Sequence, residues 1–378
     1  MSRGKVLVTG GLGFIGLAVL KLLARHGYAL RVLDSLSPQI HGQVPDVDRS
    51  LLAGLPLEVF RGDVVRRDHL AECLSGVDYV VHLAAETGTA QSMYGIAHYN
   101  RVNSQGTAEL LDWMVNHRHS IKKLILTSSR SVYGEGAYRC PSCGIVTPDS
   151  RRAESLAQKH WEPLCPICRG ELQLIATPES SRSCPASIYA ATKLAQEDLT
   201  RIACGSAGIP YTILRLQNVY GPGQSLTNPY TGILSIFSTR IRQGLHLPIF
   251  EDGLESRDFV HVSDVARALV LCMETARVDG KTLNVGSGIP TSVLSVAEML
   301  SQVVGGSSRT ELTGQYRVGD IRHCYADISE IQAAIGFRPE ISLEEGLADL
   351  AAWVTSQPLA EDGLDQANRI LTERGLMK

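Results

Sequence analysis

The first strand of this chain and the turn after it constrain the fold more than any other feature. Residues Val6-Leu7-Val8-Thr9-Gly10-Gly11-Leu12-Gly13-Phe14-Ile15-Gly16 read as an apolar, β-branched strand, a glycine-rich turn and the start of a helix. The spacing Gly10-x-x-Gly13-x-x-Gly16 lets the backbone turn tightly, approach a pyrophosphate and seat a helix on the strand. Glycine triplets also occur in ordinary strand–turn–helix units. Here the motif follows a strand, opens a helix and lies near residue 1, the placement of a dinucleotide site. Asp34 ends the next strand, 18 residues past Gly16. A carboxylate there bonds the two ribose hydroxyls and repels a 2′-phosphate, which predicts NAD rather than NADP. Asp63 and Val64 follow the third strand, where the adenine edge would be met.

Strand and helix signals alternate over the first 215 residues. Strands are predicted at 5–9, 29–33, 57–61, 79–83, 123–127 and 211–216, and helices at 17–26, 69–74, 103–116 and 188–205. This alternation predicts an α/β fold with a doubly wound parallel sheet, the Rossmann arrangement. From about residue 217 the pattern loosens into a smaller C-terminal lobe whose chain is expected to cross back to the main sheet. The expected division is 1–216 for the dinucleotide domain, with an insert at 138–184, and 217–378 for a substrate-binding lobe. With 378 residues and 44% apolar content, a large core is available. The net charge of −3 comes with scattered Lys and Arg, so no basic stripe argues for nucleic acid or an anionic membrane. No apolar run approaches the ~20 residues of a membrane span. No charged-then-apolar leader precedes the first strand, so the expectation is a cytoplasmic protein.

Tyr189 and Lys193 are one helical turn apart and share a helix face. An ammonium beside a phenol favours the phenolate, which can take a hydroxyl proton while hydride leaves the same carbon. A lone Tyr-x-x-x-Lys is weak, but it is accompanied by Thr127-Ser128-Ser129-Arg130-Ser131-Val132-Tyr133-Gly134, a strand end and a hydroxyl-rich turn. A serine there could bond the reacting oxygen, or simply cap a helix. His82 and His261 read as packed or hydrogen-bonded histidines, and His323 as a possible neighbour of a phosphate site.

With these pieces in order, the chain resembles the extended short-chain dehydrogenase/reductases of the nucleotide-sugar epimerase/dehydratase family. The matching residues run from Thr9–Gly16 through Asp34, Gly62-Asp63-Val64, His82-Leu83-Ala84-Ala85, Asn103 with Gly106-Thr107, Ser129 with Val132-Tyr133-Gly134, and Tyr189 with Lys193. They continue at Leu214-Arg215, Asn218-Val219-Tyr220-Gly221-Pro222-Gly223 and Arg257-Asp258-Phe259-Val260-His261-Val262 with Asp264. The resemblance implies an enzyme with Ser129 as catalytic hydroxyl, Tyr189 as base and Lys193 as its partner. It implies an NAD site formed by Gly10, Gly13, Phe14, Ile15, Gly16, Asp34, Asp63, Val64, Leu83, Ala84, Ala85 and Asn103, together with Tyr189 and Lys193. Arg130, Asn218, Arg257 and Arg322 would meet a nucleotide-diphosphate sugar, the last two as phosphate clamps. The family's four-helix interface implies a homodimer through the helices at 103–116 and 188–205.

One departure bears on the reaction. The family's 4,6-dehydratases carry an Asp-Glu pair just after the catalytic hydroxyl, and here those positions are Arg130 and Ser131. Without that pair, elimination of water is disfavoured, leaving oxidation at one carbinol or oxidation followed by re-reduction. A 4-epimerase regenerates NAD each turnover. The stretches Leu33–Gly42, Thr127–Gly136 and Gly319–His323, with the cysteine insert, look like the branch of the family that epimerises dTDP-L-rhamnose to dTDP-6-deoxy-L-talose. The open alternatives are an epimerase or net oxidoreductase acting on a CDP-, UDP- or GDP-sugar, and a non-catalytic NAD-binding regulator.

Between the two motifs lie Cys140-Pro141-Ser142-Cys143 and Cys165-Pro166-Ile167-Cys168, four of nine cysteines. Two Cys-x-x-Cys pairs at this spacing approach a zinc-ribbon template. Four thiolates leave no open position, so a zinc ion there would be structural. The insert is expected to organise the loop bordering the sugar pocket, because it separates Ser129 from Tyr189.

Overall fold

A computed structural model describes residues 3–42, 54, 57–305 and 308–378. Its centre is a seven-stranded sheet in the order 281–285, 211–216, 123–129, 79–82, 5–9, 29–34, 57–61. All six strand pairings are parallel. Alternate residues of the first strand serve opposite faces, as the pleat requires. Val6 and Val8 join a core beneath the helices Phe14–Arg25 and Val262–Met273. Leu7 faces the other layer, under Arg67–Leu74 and Gly106–Asn116. The chain steps outward from Lys5–Thr9 on one side, then restarts at Tyr79–His82 on the other. That reversal opens a crevice at the carboxyl ends of the two strands, where such sheets take their ligands.

The first helix begins at Phe14, ahead of the expected Leu17, because the turn closes at once into it. Two glycines explain how. Gly10 has φ +66°, and a Cβ there would lie 2.9 Å from the backbone of Ala84. A Cβ on Gly16 would lie 2.4 Å from the carbonyl oxygen of Gly11. The helix expected from Asn103 instead starts with a π-helical turn, Asn100–Gln105, before the α-helix Gly106–Asn116. Such turns insert a residue where a side chain is held by other contacts, and Asn103 is so held (below).

The strand Lys281–Val285 returns from the C-terminal part of the chain to complete the main sheet. The rest of that part packs the helices Ile233–Arg242, Val293–Val304 and Leu343–Ser356 around their own apolar core. Residues 138–174 form a small antiparallel sheet, with Tyr138–Cys140 between Gly144–Val146 and Gln173–Leu174. Its core contains few side chains besides Tyr138, Val146 and the cysteines. Among the described residues no helix is long and apolar enough to cross a membrane.

Candidate active site

A cavity of about 1590 Å³ runs from the glycine turn across the sheet's carboxyl edge to the C-terminal lobe. Gly10, Gly13, Phe14, Ile15 and Gly16 line one end, with Asp34, Asp63, Val64, Leu83, Ala84 and Ala85. Asp34 is buried and fixed: its Oδ2 accepts from Leu12 N (3.0 Å) and its Oδ1 from Leu36 N (2.9 Å). Its carboxylate is therefore set by the turn it must serve. Asp63 is fixed in the same way, its Oδ1 accepting from Val65 N at 3.1 Å. These residues fit a dinucleotide with free ribose hydroxyls, as inferred from the strand-end carboxylate.

Asn103 is completely buried and does not line the cavity. Its Oδ1 accepts from Glu86 N (2.7 Å), while its Nδ2 donates to Glu86 O (3.1 Å) and Thr192 Oγ1 (3.0 Å). Asn103, expected to touch the cofactor, here ties the wall at 83–86 to the helix Ile188–Ala207. His82 is likewise internal, between Thr9 Oγ1 and Thr107 Oγ1, and burial pushes its pKa down to about 3.

Ser129, Arg130, Tyr189, Lys193 and Asn218 meet at the middle of the cavity. Tyr189 and Lys193 project from the helix Ile188–Ala207, whose N-terminus is capped by the Ser187 hydroxyl accepting from Ala190 N. Lys193 is buried, donates to Thr127 O at 3.0 Å, and is pushed down to about 8 by burial. Burial pushes the Tyr189 phenol up; a hydrogen bond with Ser129 and the charge of Arg130 pull it back. Ser129 does both things the sequence offered: its Oγ accepts from Ser131 N (3.2 Å), capping the short helix Arg130–Tyr133, and it reaches Tyr189. Arg130 Nε donates to Asn218 Oδ1 at 3.0 Å.

The two expected phosphate clamps are spent elsewhere. Arg257 donates to the carbonyls of Ser256, Ile321 and Arg322 and to Asp320 Oδ1, so it holds the 320–322 backbone. Arg322 is 1% exposed and lies among Glu162, Glu251, Asp252 and Glu255. Neither lines the cavity. The physical reason is that the acidic partners come from the insert and the 251–255 turn, far away in sequence. A further buried cation, Arg317, also lies outside the cavity lining. Its Nε is buried with no hydrogen-bond partner, and its guanidinium lies 4.6 Å from the centre of the Phe250 ring. Its Nη2 donates only to Asn368 Oδ1 (2.9 Å). It lies two residues before the Gly319–His323 stretch and five before Arg322.

In the insert, the sulfurs of Cys140, Cys143, Cys165 and Cys168 lie within 4.8 Å of one another. The Sγ atoms of Cys140 and Cys168 are 3.5 Å apart. A tetrahedral ion with Zn–S of ~2.3 Å needs S–S edges of about 3.8 Å. Backbone N–H groups of Cys168 and Ile167 point at the Cys165 sulfur and favour its thiolate.

The sequence matches the NAD dependent epimerase/dehydratase family over residues 6–153 and 170–286. The gap falls within the cysteine insert. This chain therefore belongs to that family, and it is an enzyme of the nucleotide-sugar epimerase kind. It is 39% identical over 355 residues to the dTDP-L-rhamnose 4-epimerase of Burkholderia thailandensis, covering 93% of this chain and 95% of that one. Its fold matches the UDP-glucose 4-epimerase of Thermotoga maritima solved with UDP-glucose (TM-score 0.75, 28% identity, 93% and 98% covered). It also matches the UDP-glucuronic acid 4-epimerase of Bacillus cereus in complex with UDP-glucuronic acid and NAD (TM-score 0.76, 27% identity, 93% and 99% covered).

Proposed function

We propose that this enzyme is an NAD-dependent 4-epimerase of dTDP-L-rhamnose, giving dTDP-6-deoxy-L-talose with the cofactor regenerated in each turnover. The observation that carries the reading is the 39% identity to a dTDP-L-rhamnose 4-epimerase over nearly the full length of both chains. The site supports it: a basic Tyr–Lys pair is present, and Arg130 and Ser131 stand where elimination would require acids. Bound NAD supplies a reversible hydride acceptor. Tyr189 removes the proton of the 4-hydroxyl, Ser129 holds that oxygen, and Lys193 keeps the phenolate charged. The sugar then presents its other face within the same cavity, and Tyr189 returns the proton to the 4-keto oxygen. Arg130 and Asn218 contact the sugar.

NMR of dTDP-L-rhamnose incubated with the purified enzyme and no added NAD tests this. A new sugar spin system on an intact nucleotide is expected. No change with this sugar, but turnover of a CDP-, UDP- or GDP-sugar, would overturn the substrate assignment. Release of a keto sugar with NADH would overturn the epimerase.

We also propose that Cys140, Cys143, Cys165 and Cys168 hold one structural zinc ion, since their four sulfurs lie within 4.8 Å of one another and the insert has little core of its own. Elemental analysis should find about one zinc per chain and none after Cys143→Ser with Cys168→Ser. A homodimer through the helices Gly106–Asn116 and Ile188–Ala207 is supported by exposed apolar side chains there, Val115, Leu199 and Ile202. Light scattering at twice the monomer mass is the expected result. The absence of a membrane-length helix among the described residues is consistent with the expected cytoplasmic location.

A further inference from the structure

We propose that Arg130 is a positioning cation for Tyr189: its guanidinium, clamped by Asn218 and left without an acidic partner, holds the base in its phenolate form alongside Lys193. The proposal rests on Tyr189 being the base of the reading above. Three observations carry it. Arg130 lines the same cavity as Tyr189, directly follows the Ser129 that hydrogen-bonds Tyr189, and has its Nε fixed on Asn218 Oδ1 at 3.0 Å. Among the described residues no carboxylate lies within 4.0 Å of it, and the side chain makes no other hydrogen bond. Lys193, the cation usually credited with this task, is a weaker source of charge here. Its ammonium is turned to Thr127 O and buried, and burial favours its neutral form. Glu197, one turn further on, is shared with Arg215 (2.7 and 2.9 Å) and Ser128, and its charge only partly offsets the burial of Lys193.

A guanidinium stays charged at any working pH, whereas an ammonium near its own pKa does not. A cation with no counterion beside a buried phenol favours the phenolate, and it also partners the negative oxygen that appears when the proton moves.

The other groups facing the pair do not supply the effect. Lys193 lies on the same helix as Tyr189 and has been considered. Tyr99, on the helix Ile96–Tyr99, is kept neutral by burial. Around Arg130 stand Arg257 from the strand Ser256–His261, and Asp320 and Cys324 beyond it. Asp320 is held by Arg257 at 3.2 Å, and burial pushes the Cys324 thiol up and keeps it neutral.

The test is a tyrosinate absorbance titration of the NAD-loaded enzyme, read as the difference between each protein and the same protein carrying Tyr189→Phe. No substrate is needed, so the outcome does not depend on which sugar is epimerised. Arg130→Gln is expected to raise the Tyr189 midpoint by about one pH unit, a tenfold loss of phenolate below it. Arg130→Lys should keep the midpoint near that of the wild type. Unchanged NAD affinity in both variants would establish that the site still folds. An Arg130→Gln midpoint equal to wild type, with only KM for the sugar raised, would overturn the proposal and leave Arg130 as a sugar contact. A wild-type difference spectrum with no low titration would instead remove Tyr189 as the base, a separate failure.

Discussion

Replacing Arg322 by Met tests the assignment of this residue to the fold rather than to the substrate. Its side chain is 1% exposed and meets Glu251 Oε2 at 3.0 Å, Asp252 at 2.7 and 2.9 Å, Glu162 at 2.7 Å and Glu255 at 3.7 Å. Glu162 is 60% exposed and Asp252 34%, so water would reclaim much of what they lose. Glu251 is 6% exposed and would keep Arg151 at 2.8 Å, whereas Glu255, 9% exposed, would be left as a buried carboxyl. Glu251 holds a left-handed backbone, φ +50°, to reach its partners. Glu255 Oε2 already lacks a donor, and burial pushes this carboxyl up to about 7 with Arg322 present. Removing one partner of a buried pair costs about 3–5 kcal/mol. At about 2 °C per kcal/mol for a large domain, Tm should fall by about 6–10 °C. The sign of the pH dependence follows from the loss of a cation, which raises the folded-state pKa of Glu255 further above its unfolded value. A raised carboxyl binds its proton more tightly in the folded state, so the penalty is full above the folded pKa and fades as pH falls toward the unfolded value of ~4.3. Thermal melts followed by circular dichroism at about pH 8 and about pH 5.5 should therefore show a deficit that shrinks in acid. A deficit equal at both pH values would mean lost packing, not orphaned charge. An unchanged Tm with a large rise in the KM of the nucleotide sugar would restore Arg322 as a phosphate clamp.

Other outcomes follow from the same geometry. Asp34→Asn removes the charge facing the ribose hydroxyls and should weaken NAD by about 1.5–3 kcal/mol, roughly 10- to 100-fold by calorimetry, while narrowing its preference over NADP. Gly16→Ala places a methyl 2.4 Å from Gly11 O, so the glycine turn must shift: NAD affinity should fall and the melt of the apo-protein should drop with it. Tyr189→Phe should lower kcat by about 10²- to 10⁴-fold and leave NAD affinity intact. Stripping zinc with a chelator and a thiol reagent should open the 140–175 segment to protease well before the sheet unfolds, because the insert's own core is a handful of side chains.

What the sequence made legible was local. The strand Lys5–Thr9, the glycine turn, the carboxylate at Asp34 and the Tyr189–Lys193 pair each declare themselves within a few residues. Periodicity and turn chemistry are enough to place them on elements. The assignments of Arg257 and Arg322 failed for the opposite reason. Whether a guanidinium faces a cavity or a protein partner depends on groups far along the chain: Arg322 finds Glu162 and Glu251 there, while Arg130 finds only Asn218 and stays in the cavity wall. Asn103 was legible as important but not as a brace, because its partners, Glu86 and Thr192, sit on separate elements.

The insert shows why those long-range partners matter to the site. It leaves the main domain just after the turn that carries Ser129 and Arg130, and returns just before the helix that carries Tyr189. Glu135, at the exit, accepts from Arg322 N (2.7 Å) and pairs with Arg151 (3.2 Å), which also pairs with Glu251 (2.8 Å). Cys184 N, at the return, donates to Val132 O (2.9 Å), and a Cβ on Gly134 would collide with the Cys184 carbonyl oxygen at 2.3 Å. The two halves of the proton-transfer site are thus sewn together at the insert's root, while its ion pairs anchor it to the lobe that closes over the cavity. Buried, fully partnered ion pairs add little net stability but fix one arrangement against others. The insert's contribution is therefore expected in the alignment of Ser129 and Arg130 against Tyr189, and only secondarily in the stability of the sheet.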